Sequence, residues 1–414
     1  MRPEILSPAG DFEKLKSAVY FGADAVYLAG SHFGMRAASA NFTNEELKAA
    51  VEYCHERGVK LYVTVNIMPR DGEYEALRAY LSYLDEIRVD AAIVSDLGVA
   101  ALLRECAPNV PLHVSTQASV VSSAACRAWY ALGATRIVLA RELSLEAVKN
   151  ICRDIPEDLE IECFVHGSMC IAYSGRCLLS QHYVGRDANR GACAQPCRWI
   201  YGSKSSLTMD IAEEKRTEEL LPLIEDGGDT FVMSSKDMCM IEHIPELVQA
   251  GIHSFKLEGR VRSAYYTAVV TNTYKMALDR YFRDPEGYTF DPALLRELES
   301  VSHREYGTGF FLKSPHEDAN IVSEAGYIRE KAYIATAVSD SDSEGYALFV
   351  QRNKLCDGAS VELLSPGKTG IPFKAGGIWN EKGEAVESAP HPGMIFKIKV
   401  PFPVHAGDIL RGGE

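Results

Sequence analysis

The sequence has no uninterrupted apolar run approaching the roughly 18–20 residues that a membrane-spanning helix needs, so no spanning segment is expected. It has no C-x-x-C pair, no H-E-x-x-H and no G-x-S-x-G, and "PGKTG" around Lys368 lacks the first glycine of a P-loop. The spacing signatures of dithiol oxidoreductases, zinc proteases, serine hydrolases and ATPases are therefore missing. Basic charge is also short: 43 Lys and Arg against 57 Asp and Glu leave the 414 residues at −14. A protein that coats nucleic acid by neutralising its phosphates needs the opposite sign. The opening "MRPEILSPAGDFEKLKSAVY" lacks the charged and then apolar pattern of a secretory leader, and the cytoplasm is the expected location. There, eleven cysteines point to thiols and metal ligands rather than to a disulfide framework.

What is present begins with a rhythm. Short apolar, β-branched runs alternate with amphipathic stretches over the first two-thirds of the chain: "EILSPAG", "AVYLAG", "KLYVTVN", "AAIVSD", "LHVSTQ", "RIVLARE", "LEIECFVHG" and "SFKLEGR". Between them lie segments such as "TNEELKAAVEYCHERG", where Thr43 and Glu46 have capping-box spacing and Gly58 marks the stop. Near-continuous apolar strands separated by helices imply a parallel sheet covered on both faces, and eight of them suggest a (β/α)8, TIM-like barrel. The strands end in Ser7, Gly30, Asn66, Asp96, Thr116 and Gln117, Arg141 and Glu142, His166, then Glu258 and Arg260. A barrel gathers such residues at its C-terminal mouth, where its chemistry sits.

The seventh and eighth runs are separated by an unusually long stretch, which places a Cys-rich insertion at 167–253 over that mouth. The expected division is a barrel over 1–290 including the insertion, a helical connector over 291–326, and a small antiparallel β-barrel domain over 327–414. The last is read from "AYIATAVSD", "EGYALFVQR" and the alternating runs that follow.

The insertion opens with the densest chemistry in the chain, "CFVHGSMCIAYSGRCLLSQHYVGRDANRGACAQPCRW". Its spacing is C-x6-C from Cys170 to Cys177, then fifteen residues to Cys193 and three to Cys197; Cys239 follows in "SSKDMC". Structural zinc prefers paired knuckles, which only Cys193 and Cys197 provide, whereas an iron–sulfur cluster tolerates irregular loops. Iron–sulfur, zinc and free buried thiols all remain open on spacing alone. Cys163 alternates within the seventh strand and reads as core. From Cys170 to Lys204 the basic residues are Arg176, Arg186, Arg190, Arg198 and Lys204 against the single acid Asp187. That positive island suits an anionic cluster, an anionic ligand or RNA phosphates; the plainer reading is a solvated loop.

The segment Glu162 to Ser180, with "GRDANRGACAQPCRW", "SSKDMC", "FKLEGRVRS", "HREYGTGF" and the opening "LSPAGD", resembles the collagenase-like peptidase family of unknown catalytic type, peptidase family U32. The length and the terminal β domain are most similar to its branch that forms 5-hydroxyuridine at the tRNA wobble position in a prephenate-dependent manner. The resemblance implies an oxygen-independent tRNA hydroxylase with a 4Fe–4S cluster as cofactor, prephenate as co-substrate and tRNA as partner. Carried over by motif, the ligands fall on Cys170, Cys177, Cys193 and Cys239, with Cys197 as the rival for one place. Arg141, Arg260 and the insertion residues Arg176, Arg186 and Arg190 are expected to bind substrate, and His166 and Glu258 to act as acid/base groups. Tyr173, Tyr183 and Trp199 are candidates to stack an unpaired base. The β domain is a candidate tRNA-docking module, and a partner subunit or homo-oligomer is a further candidate partner. The alternatives are a collagenase-like protease, hydroxylation of large-subunit rRNA, and a zinc-stabilised RNA-binding protein.

Overall fold

The computed structural model describes residues 1–35, 40–199, 234–315, 317–318, 320–322 and 327–412, together with the backbone of short strands between 201 and 231. Lys204 lies outside the described residues.

Seven parallel strands, β1 (Glu4–Pro8), β2 (Ala25–Leu28), β3 (Lys60–Val65), β4 (Ala91–Val94), β5 (Leu112–Val114), β6 (Ala134–Val138) and β7 (Glu160–Ser168), pair in chain order. An eighth, Ser254–Leu257, pairs parallel with both β7 and β1 and closes the barrel. The helices between them follow from local sequence. In Asn44–His55, Thr43 Oγ1 accepts from the Glu46 N–H while the Glu46 carboxylate accepts from the Thr43 N–H, as the capping box predicts. Leu47, Ala50, Val51 and Cys54 recur on one face of this helix and are buried against the barrel. Truncating Leu47 to Ala would cost roughly 2–5 kcal/mol.

The barrel floor is ionic. Arg136 reaches Glu4 at 2.7 Å, Glu160 at 2.6 Å and Glu162 at 3.1 Å, while Lys256 holds Glu162 at 2.7 Å. Tyr62 adds a hydrogen bond to Glu4 at 2.9 Å. Arg136, Glu162 and Lys256 are buried, so their pairing offsets the loss of water that isolated charges could not survive.

The insertion leaves from the end of β7 and returns beside it. Strand Asp237–Cys239 runs antiparallel to β7, with Asp237 opposite Ser168 and Cys239 opposite His166. Where β7 meets the eighth strand the register slips, from Lys256 opposite Phe164 to Leu257 opposite His166. Gly167 follows with φ +103°, and a Cβ there would lie 2.5 Å from the Glu258 carbonyl oxygen, so only glycine fits.

Beyond the barrel, the long helix Ala264–Arg283 packs along β1. Of the connector expected over 291–326, Pro292–Glu299 is helical, and Tyr306–Gly307 then joins the barrel sheet beside Asp237–Cys239. Arg304 draws the chain in, because its guanidinium and backbone N–H all bond Asp237. The C-terminal residues form an eight-stranded antiparallel sheet from Ala332 onward, as the alternation predicts. Its edge strands Ile371–Lys374 and Ala385–Val386 do not pair with each other, which makes it a half-barrel. Its own apolar core contains Phe349, Val361, Phe396 and Ile398. Fully buried Arg411 fastens it to the barrel side, reaching Glu297 at 2.7 Å and Ser300 at 3.0 Å.

Candidate functional site

At the C-terminal mouth of the barrel the strand ends and the insertion enclose a cavity with about 1030 Å³ of empty space, counting its open side. Thr64 and Asn66 line it from the end of β3, Ser115 to Gln117 from β5, Arg141 from β6, Phe164 from β7, and Lys256, Glu258 and Arg260 from the eighth strand. The insertion covers it with Cys170, Cys177, Cys193 and Cys197.

The fold brings those four thiols together on the cavity wall. Burial raises the Cys197 thiol; Arg198 lowers it, and Cys170, Cys193 and Cys177 push it up again. Thiolate donors on irregular loops suit an iron–sulfur cluster in chemistry. Among the described residues no group of three or more His, Cys, Asp or Glu is already drawn up to metal-holding geometry.

Cys239, assigned from the motif, is set elsewhere. It is buried opposite His166 and beside Tyr274, and burial pushes its thiol up to about 12. Cys197 takes its place on the cavity wall. Sequence spacing could not separate the two, because the return of the strand after the insertion is a tertiary event.

Arg141 and Arg260 both enter the cavity, as expected. Arg141 donates to the Ser168 carbonyl at 2.9 Å and to Ser174 Oγ at 2.6 Å, and lies over the Phe164 ring. Arg260 donates to Thr64 Oγ1 at 3.3 Å and to the Met35 carbonyl at 2.6 Å. For Arg141 these contacts fix the guanidinium through neutral oxygens, which leaves its charge able to attract an anion. Lys256 is a lining residue that the sequence reading missed, concealed inside the apolar run "SFKLEGR". Burial lowers its pKa and Glu162 counters that loss. Glu258 lines the same wall.

His166 does not face the cavity. The slipped register turns it away from the side occupied by Glu162 and Phe164, and its ring lies among Tyr266, Tyr274 and Tyr306. Burial holds it down to about 3, with Asp237 opposing and His303 and Arg262 adding to the shift. It is therefore a neutral core histidine, and the acid/base role expected of it has no geometric support.

The insertion arginines divide. Arg190 forms a two-point pair with Glu73 at 2.7 and 2.9 Å and donates to the Met68 carbonyl, so it latches the insertion to the loop after β3 rather than facing the cavity. Arg186 is exposed and folds back on the Ala192 carbonyl, and Arg176 is exposed at the rim. Arg198 supports the loop through Gln195 and the Met169 carbonyl. Of the aromatics, Tyr173 is half-exposed and lines the cavity. Tyr183 and Trp199 meet edge-on outside it, with the Trp199 indole N–H donating to Ala194.

Comparison with known proteins agrees with this architecture. The model of peptidase family U32 matches residues 10–321, and that of the peptidase family U32 C-terminal domain matches 329–411. The chain is 36% identical to the tRNA hydroxylation protein P1 of Bacillus subtilis, over all of this chain and 95% of the relative. It is 33% identical to a collagenase of Porphyromonas gingivalis, covering 89% of this chain and 87% of that one. It is also 36% identical to a 23S rRNA 5-hydroxycytidine synthase of Escherichia coli, over 67% of this chain and 39% of the relative. No helix among the described residues is long and apolar enough to cross a membrane. Barrel, insertion and terminal half-barrel together make this chain a member of peptidase family U32.

Proposed function

We propose that this protein is an RNA-hydroxylating enzyme that converts the wobble uridine of tRNA to 5-hydroxyuridine. In this reading prephenate is the co-substrate and a 4Fe–4S cluster is held by Cys170, Cys177, Cys193 and Cys197. The observation that carries it is the single cavity on which four cysteines, Arg141 and Arg260 converge. Bound there, the cluster would supply redox chemistry without requiring molecular oxygen. Arg141 and Arg260 would orient the carboxylates of the acid by charge-assisted hydrogen bonds. Glu258 would exchange protons with the ligand. Arg176, Arg186 and Tyr173 at the rim would meet the phosphates and bases of the RNA loop. The relatives named for RNA hydroxylation support this reading over a structural zinc protein.

Mass spectrometry of tRNA nucleosides tests it: a deletion strain should lose 5-hydroxyuridine derivatives and a plasmid copy should restore them. Unchanged tRNA in a strain without a second copy of the gene would reject the substrate. Iron analysis of anaerobically purified variants tests the ligand set. Cys197→Ser should lose most of its iron, whereas Cys239→Ser should keep it. A collagenase reading has the relative's name in its favour. It would require purified protein to cleave collagen, with loss of cleavage when Glu258 is replaced.

A further inference from the structure

Gln117 stands apart from every other residue of the cavity wall. It sits in a single helical turn, Thr116–Ala118, that follows β5 and is entered through a cap by Ser115. Its side chain is buried and lines the cavity, yet among the described residues neither Oε1 nor Nε2 has a hydrogen-bond partner. Its neighbours are satisfied. Asn66 accepts from the Met35 N–H at 3.1 Å and donates to Ser115 Oγ at 3.2 Å, and the Thr116 hydroxyl donates to the Leu139 carbonyl. Burying an amide with nothing to bond is unfavourable, so such a group in a ligand cavity points to a partner that arrives with the ligand.

The position of Gln117 relative to the cysteines is also fixed. Gly175, in the loop from Cys170 to Cys177, has φ +80°, and a Cβ there would come within 2.7 Å of the Gln117 carbonyl oxygen. Ser119 donates to the Ser174 carbonyl at 3.2 Å from the same turn. The cysteine loop is thus seated on the backbone that carries the free amide.

We propose that Gln117 reads the Watson–Crick edge of a uracil base drawn into the cavity. This rests on the RNA-hydroxylation reading. A primary amide presents an acceptor beside a donor. Uracil presents the matching edge, with N3–H donating to Oε1 and O4 accepting from Nε2–H. A carboxylate has no donor and would leave Oε1 unmatched, while Arg141 and Arg260 attract it more strongly than a neutral amide can. The charged groups therefore sort with the acid and the amide with the base. Held by this edge the ring is fixed in its own plane, and the ribose on N1 decides whether O4 or O2 meets Nε2 and hence on which side C5 lies.

The amide turned over would match cytosine, so the decisive probe is an N3-methyl group, which removes the uracil donor and keeps the ring. Full-length protein is titrated with two anticodon stem-loop RNAs, one with uridine and one with N3-methyluridine at the wobble position. The wild type should bind the first about tenfold more tightly. Gln117→Met, close in shape and without an amide, should bind both equally, near the weaker value, with an unchanged melting temperature. Gln117→Asn retracts the amide and should lose the preference in the same way, which keeps the test open if the Met variant folds poorly. Retained preference in a folded variant, or a wild type that prefers uridine to adenosine yet ignores the methyl group, overturns the role of Gln117 and leaves RNA hydroxylation standing. A wild type that binds neither uridine stem-loop better than one with wobble adenosine overturns both.

Discussion

The barrel holds two sets of buried arginines, and they are dressed differently. At the floor, Arg136 is surrounded by Glu4, Glu160 and Glu162, and its charge is neutralised within the protein. At the mouth, Arg141 is held by a backbone carbonyl and a serine hydroxyl, which orient the guanidinium without cancelling it. The same residue type, equally buried, is a strut at one end and a receptor at the other. The distinction lies in the formal charge of its partners rather than in burial.

The comparison can be broken from either end. Arg136→Met would leave three carboxylates at the floor without their shared cation. A loss of about 3–5 kcal/mol in urea unfolding is expected. Arg141→Met at the mouth should behave oppositely, lowering the proposed RNA hydroxylation roughly 100-fold in single-turnover assays while stability changes by less than about 1 kcal/mol. Equal losses of stability in the two variants would erase the distinction.

Acid sharpens it further. His113, beside Tyr62 and the floor network, and His166, behind β7, are both kept neutral mainly by burial. Their folded pKa values lie below the unfolded value of about 6.5, so the unfolded chain binds more protons in that interval. Stability should be intact above about pH 6.5 and fall as pH drops below it, for His166 down to about pH 3, by up to about 1.4 kcal/mol per pH unit for each histidine. His166→Gln should flatten part of the slope in urea midpoints measured from pH 7 to pH 4. The smallest effect is expected at the latch. Glu73→Gln should cost no more than about 1 kcal/mol, because the Glu73–Arg190 pair is part-exposed and screened.

The barrel was legible because each strand carries its own apolar run and each helix its own stop and start signals. The location of the insertion was legible for the same reason, from a gap in that rhythm. Individual side chains were legible only where the strand alternation held. Glu258 and Arg260 continue the alternation of Lys256 and Arg141 follows the end of β6 to the mouth, whereas one slipped register in β7 was enough to turn His166 from the mouth to the core. Long-range pairing was invisible: nothing near Arg190 announces Glu73, which lies 117 residues earlier in the chain. Lys256 was hidden because a cation inside an apolar run looks like an interruption until its carboxylate partner is known. Gln117 was visible as a strand-end residue, but its lack of a partner is a property of the folded cavity.

The insertion departs after Ser168 and comes home at Asp237, its cross-strand neighbour. An excursion whose two ends are riveted together makes little demand on the wall it leaves. The closure entropy of such an excursion grows only logarithmically, about 0.6 kcal/mol for each doubling of length. The barrel can thus carry headpieces of very different size on the same pair of rivets, and a change of substrate can be accommodated by rewriting the excursion while all eight staves stay in place.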